Sequence, residues 1–139
     1  MYVVDASILV KWFLPESDSD LALQLKTAHL HGTYTLVVPD LALYETLNAL
    51  RYRPHVTSDD LASYVHALYD IGLDIVEPLP ETLAAAGQLA LRYHLTIYDA
   101  CYVALAQSLG LRYVTADRRL VDRLSTLSFV HMLTDLTSH

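Results

Sequence analysis

The sequence predicts an α/β fold, a three-layer α/β/α sandwich around a mostly parallel central sheet of about five strands. Short apolar runs alternate along the chain with longer segments of helical period. The runs show no polar alternation, as suits strands covered on both faces. Helical crossovers separate them, which is how parallel strands are joined.

The first run, Tyr2-Val3-Val4, stops at Asp5. Ser7 can then cap a short helix carrying Trp12, Phe13 and Leu14, ended by Pro15. A second helix starts at Ser17 or Asp18, keeps Leu21, Leu25 and Ala28 on one side, and finishes at Gly32. Tyr34 to Val38 reads as the second strand, closed by Pro39. Asp40 to about Arg53 is helical from the recurrence of Leu43, Leu47 and Leu50, until Pro54 breaks it. Thr57 or Ser58, with Asp59 and Asp60 behind it, opens the next helix, its acids at the end the macrodipole favours. That helix ends at Gly72, and Leu73 to Val76 is the third strand. Pro80, at a first turn, opens a helix over Glu81 to Tyr93. Ile97 to Leu109 is a strongly apolar helix ended by Gly110. Arg112 to Thr115 is the fourth strand, Arg118 to Leu124 a short helix, and Phe129 to Leu133 the last strand.

A length of 139 residues and 53% hydrophobic content fit one domain over residues 1–139. A domain of this size buries roughly 68–70% of its unfolded surface and folds without staples. The single cysteine, Cys101, excludes an internal disulfide and points to a reducing compartment. Asp5 falls where an export signal needs a basic and then apolar run, and no stretch of about 18 uncharged apolar residues occurs. A cytoplasmic protein without a membrane span is expected. Nine Lys and Arg against sixteen Asp and Glu give a net charge of −7. That excludes nucleic-acid binding by bulk charge, so any such role must come from a local arrangement.

Ligands of open parallel sheets bind at the carboxyl ends of the strands. Asp5 directly follows an apolar strand, and Asp117 lies two residues after Thr115 at the end of another. Asp99 is the only charge in Ile97–Ala106, on a helix apolar nearly all round. Glu45 sits among core-forming residues, with Asn48 at i+3 on its face. Each has an ordinary explanation. Asp5 and Asp117 can cap helices, Glu45 can be partly exposed, and Asp99 can be a first-turn residue behind a Thr96 cap. Two strand ends and two apolar helices each supplying an acid is the pattern that points to a site. Lysine occurs only at Lys11 and Lys26, so no spare cation is expected for these acids. Carboxylates converging without cations raise one another's pKa unless a metal compensates. Oxygen-only ligation selects Mg²⁺ or Mn²⁺ over zinc.

The segments V-V-D-A-S at Asp5 and Ser7, E-x-x-N-A-L from Glu45, Y-D-A-C-Y-V-A-L-A around Asp99, and Y-V-T-A-D at Thr115 and Asp117 together resemble the PIN-domain nucleases. The likeness is greatest to the VapC-type ribonuclease toxins of toxin–antitoxin pairs, and it spans essentially the whole chain. It implies a PIN-like fold with Asp5, Glu45, Asp99 and Asp117 as an acidic, catalytic metal site. Ser7 would hold position through its hydroxyl, with Asn48 and Thr115 as supports. The implied reaction is Mg²⁺- or Mn²⁺-dependent hydrolysis of RNA. The implied assembly is a homodimer, and the implied partner an antitoxin (VapB-like) whose tail blocks the acidic groove. A catalytically silent PIN-like domain that binds RNA or protein is the alternative.

Arg118 and Arg119, near Arg123, are candidate phosphate contacts beside Asp117, though a solvated face paired with Asp122 explains them as well. Arg51, Tyr52 and Arg53 could offer charge and a stacking ring to single-stranded RNA, or simply suit a helix end. Seven histidines are scattered without zinc-ligand spacing, and Trp12, Phe13 and Cys101 read as core. A phosphatase D-x-D motif fails at Ser7, and a Gly-rich phosphate loop fails for want of glycines.

Overall fold

The computed structural model describes residues 1–136, which leaves His139 of the histidines outside the described residues. Five strands form one sheet: β1 (Tyr2–Val4), β2 (Leu36–Pro39), β3 (Asp74–Val76), β4 (Arg112–Thr115) and β5 (Val130–Met132). Their order is β3-β2-β1-β4-β5 and every pairing is parallel. The helices are α1 (Ala6–Val10), α2 (Ser19–Leu30), α3 (Leu41–Arg51), α4 (Ser58–Asp70), α5 (Pro80–Tyr93), α6 (Ile97–Leu109) and α7 (Arg118–Arg123), followed by a 3₁₀ turn at Leu133–Asp135. The expected α/β sandwich is the one observed.

The central strands justify the reading of unalternated apolar runs. Val3, Val4, Leu36, Val37, Val38, Tyr113 and Val114 are fully buried, so both faces of the sheet are covered. Strand order rises outward in both directions from β1, so the sense in which successive strands are added reverses there while all strands stay parallel. Such a switch point opens a crevice at the carboxyl edge, where β1 ends at Asp5 and β4 ends near Asp117. Helix α6, the most apolar, packs on β1, β2 and β4 and against α5.

Two local readings need correction. The cap of α1 is Asp5, whose carboxylate accepts the Ser7 N–H, and not Ser7 itself. The helix also ends at Val10, so Trp12 and Phe13 lie in the turn that follows. Trp12 is nonetheless buried, its indole N–H donating to the Ala22 carbonyl at 2.8 Å, and Phe13 meets Tyr64 edge-on. Strand β2 starts at Leu36, two residues later than expected, because His29 intervenes. Its Nδ1 accepts the Leu36 N–H at 3.0 Å, so its Nε2–H is left to donate to the carbonyls of Ile71 and Gly72. Among the described residues no helix is long and apolar enough to cross a membrane.

Candidate active site

Asp5 ends β1 and is only 6% exposed. Its Oδ1 accepts the Ser7 N–H at 3.0 Å and the Ser7 hydroxyl, and its Oδ2 accepts the Tyr113 phenol at 2.6 Å. The Ser7 proton is thereby committed, so the 3.3 Å contact between the Ser7 and Thr115 hydroxyls runs from Thr115 as donor. Ser7 Oγ also accepts the Ala116 N–H at 3.0 Å, and Thr115 Oγ1 accepts the Asp117 N–H at 3.2 Å. Ser7 and Thr115 thus tie the end of β4 to the end of β1.

Asp117 follows at the start of α7 and accepts the Leu120 N–H at 3.3 Å. It is a helix cap and still lines a cavity of about 480 Å³ together with Glu45, Ser7, Lys11 and Glu16. Capping a helix and lining the cavity are compatible here. Asp99 lies in the first turn of α6, where Thr96 accepts its N–H at 3.0 Å. Glu45 sits half-buried on α3, and its Oε1 accepts the Tyr102 phenol at 2.6 Å.

Charge effects run among these acids. Burial pushes the Asp5 carboxyl up from the ordinary aspartate value, opposed by the hydroxyls of Ser7, Thr115 and Tyr113. Burial also raises Glu45, and the charges of Asp99 and Asp5 raise it further, while Tyr102 works the other way. Asp99 is raised by burial and then by the charges of Asp5 and Asp117, with Thr96 and Arg123 opposing. The ion pair among the described residues is Arg118–Asp135 at 4.0 Å, so none of the four acids has a cation at pairing distance.

That donor set fits a hard divalent cation. It is all oxygen, none of its acids is in an ion pair, and Asp5 and Glu45 are each held by hydrogen bonds that fix the carboxylate. Among the described residues no three His, Cys, Asp or Glu close tightly enough to hold an ion by themselves. Magnesium keeps several waters and takes one or two carboxylates directly, so a looser ring is compatible with it.

Several expectations shift. Asn48 is exposed and makes no hydrogen bond to Glu45 among those described; Tyr102 does that work. Arg118 and Arg119 are exposed and absent from the cavity wall, Arg118 facing Asp135 and not Asp122. Arg123 donates to the His94 carbonyl at 2.7 Å and acts as a tether. Lys11, for which no place near the acids was expected, lines the cavity with Glu45 and Asp117. Tyr102 and Tyr113 were missed because both sit in apolar runs. The available signal was position: Tyr102 is three residues after Asp99 on one helix, and Tyr113 two before Thr115 on one strand face. A buried phenol at either place needs an acceptor.

The PIN-domain family model matches residues 2–125, and the chain belongs to that family. Within it, the chain is 33% identical over 129 residues to Ribonuclease VapC3 of Pyrobaculum aerophilum, covering 90% of this chain and 95% of that protein. The crystal structure of PAE2754 from Pyrobaculum aerophilum superposes with a TM-score of 0.71 at 27% identity, over 98% of this chain and 85% of that one. A toxin–antitoxin complex from Klebsiella pneumoniae contains a chain of the same fold, with a TM-score of 0.69 at 17% identity over 94% of this chain and 95% of that one.

Proposed function

We propose that this protein is a metal-dependent endoribonuclease acting as the toxin of a type II toxin–antitoxin pair in the cytoplasm. The observation that supports the reading is that Glu45 and Asp117 line one cavity while Asp5, Asp99 and Glu45 act on one another through charge, and Asp117 on Asp99, with none of the four in an ion pair. Resemblance to a protein named a ribonuclease and to a chain from a toxin–antitoxin complex supports it.

In this reading the four acids hold Mg²⁺ or Mn²⁺, which when bound supplies electrostatic stabilisation to a phosphodiester undergoing hydrolysis. The chain's part is to hold the oxygens in place. Ser7 and Tyr113 fix the Asp5 carboxylate, Tyr102 fixes that of Glu45, and Thr115 orients Ser7. The substrate is RNA, the regulatory partner a VapB-like antitoxin, and the assembly a homodimer.

Purified protein free of its partner is expected to cut RNA with Mn²⁺ or Mg²⁺ and to stop when a chelator is added. Asp99→Asn is expected to lower cleavage at least a hundredfold, in preparations shown free of contaminating nuclease. Undiminished cutting by that variant would remove Asp99 from the site.

A further inference from the structure

Lys11 is one of only two lysines in the chain, and it is 9% exposed. Burying an ammonium is costly unless something pairs with it. Its Nζ donates to the Ser17 carbonyl at 2.7 Å, and no other hydrogen bond or ion pair of Nζ occurs among the described residues. An ammonium has three donors, so two remain.

Lys11 itself lies at the wall of the acid-lined cavity. Ser7, Val10 and Lys11 stand at i, i+3 and i+4 along α1 and its end, and all three line it with Glu45 and Asp117. The Asp5 cap fixes the start of this segment. The indole of Trp12 fixes its end on Ala22, and the Ser19 hydroxyl accepts the Glu16 N–H at 2.9 Å. Lys11 is therefore held in a wall it shares with carboxylates, and its ammonium forms an ion pair with none of them.

A polyanion entering this cavity meets carboxylates on a chain of charge −7. Arg118 and Arg119, the expected phosphate contacts, are not on its wall. We propose that Lys11 binds a non-bridging oxygen of an RNA backbone phosphate inside the cavity shared with Glu45 and Asp117. This rests on the nuclease reading above. The Ser17 tether positions the ammonium, and the phosphate takes its free donors.

The test is a cycle between protein charge and phosphate charge. Wild type, Lys11→Gln and Lys11→Arg are compared in Mn²⁺-dependent cleavage of a short RNA bearing one neutral methylphosphonate at each position in turn. At one phosphate the substitution costs wild type about tenfold in kcat/KM and costs Lys11→Gln almost nothing. Lys11→Gln also lowers the slope of log kcat/KM against log salt by about 0.7, and Lys11→Arg restores most of it. Equal penalties in wild type and Lys11→Gln at every phosphate, or an unchanged salt slope, would make Lys11 only a brace for the turn it closes.

Selective ¹³C labelling of lysine covers the case in which Lys11→Gln does not fold, since unaltered protein gives just two lysine side-chain signals. RNA binding shifts the Lys11 signal and leaves that of Lys26 in place. An unmoved Lys11 signal with RNA bound overturns the inference. Additive penalties in a protein that cleaves RNA sink the Lys11 contact and leave the nuclease reading standing. A wild type that neither binds nor cleaves RNA sinks both.

Discussion

Tyr102 and Tyr113 lie parallel in the core, ring centroids 5.8 Å apart and planes 7° from each other, and each donates a hydrogen bond to a different acid, Glu45 and Asp5. Both phenols are held firmly protonated, by burial first and by the neighbouring carboxylates next. Toward these carboxylates they can only donate. Tyr102→Phe keeps the stacked ring and removes the donor that lowers the Glu45 pKa. The carboxyl of Glu45 then rises further, so the acidic limb of the pH–rate profile is expected to move to higher pH. Weakening of Mn²⁺ affinity by about tenfold should accompany it. Steady-state rates from pH 5.5 to 8.5 measure the first, and a metal titration the second. At this scale the acids were legible because a charge in an apolar run is conspicuous. The tyrosines were not, because their rings belong to the core and their hydroxyls do not.

Element boundaries were legible wherever a cap and a stop are both local. Helix α6 runs from Ile97 to Leu109 as expected, since Thr96 caps it and Gly110 ends it in the left-handed conformation at φ 66°. Helix α4 has a reciprocal capping box, Thr57 accepting the Asp60 N–H at 3.1 Å and Asp60 accepting the Thr57 N–H at 3.0 Å. Thr57→Ala is expected to cost about 1 kcal/mol, or roughly 3–5 °C in Tm, as thermal unfolding would show. Cleavage rate should be unchanged, because α4 supplies no side chain to the acid-lined cavity. Helix α1 was misread for a matching reason. Its cap could be assigned to Asp5 or to Ser7, and its length is set by tertiary contacts of Trp12 that leave no trace in the local pattern.

The whole molecule poses two questions of charge and surface. Leu83 and Leu91 are exposed on one face of α5 with Gly87 between them, at i, i+4 and i+8. Apolar surface of that kind accords with the homodimer proposed above, and light scattering at micromolar concentration is expected to return twice the mass of one chain. A monomer would count against the assembly but not against the site, whose acids all come from one chain.

The second question is what the acids do to stability when no metal is bound. Asp5, Glu45 and Asp99 all bind a proton more tightly folded than unfolded, because burial comes first among the causes and mutual repulsion adds to it in Glu45 and Asp99. A carboxyl with a raised folded pKa holds protons that the unfolded chain has already lost. Stability therefore falls as pH rises from the ordinary carboxylate range through the raised values, and the deficit persists at neutral pH. Metal-free protein should accordingly show a Tm that declines over that interval, and Asp99→Asn should decline less steeply and melt higher at pH 7. Adding Mn²⁺ at pH 7 should restore the loss, by about 2.7 kcal/mol at a hundred times its dissociation constant, and should do little at pH 4.5, where protons already neutralise the site. Parallel Tm curves for wild type and Asp99→Asn across this range would mean that these carboxylates do not feel one another. A site built to be unstable until a cation enters it is what the unpaired acids require.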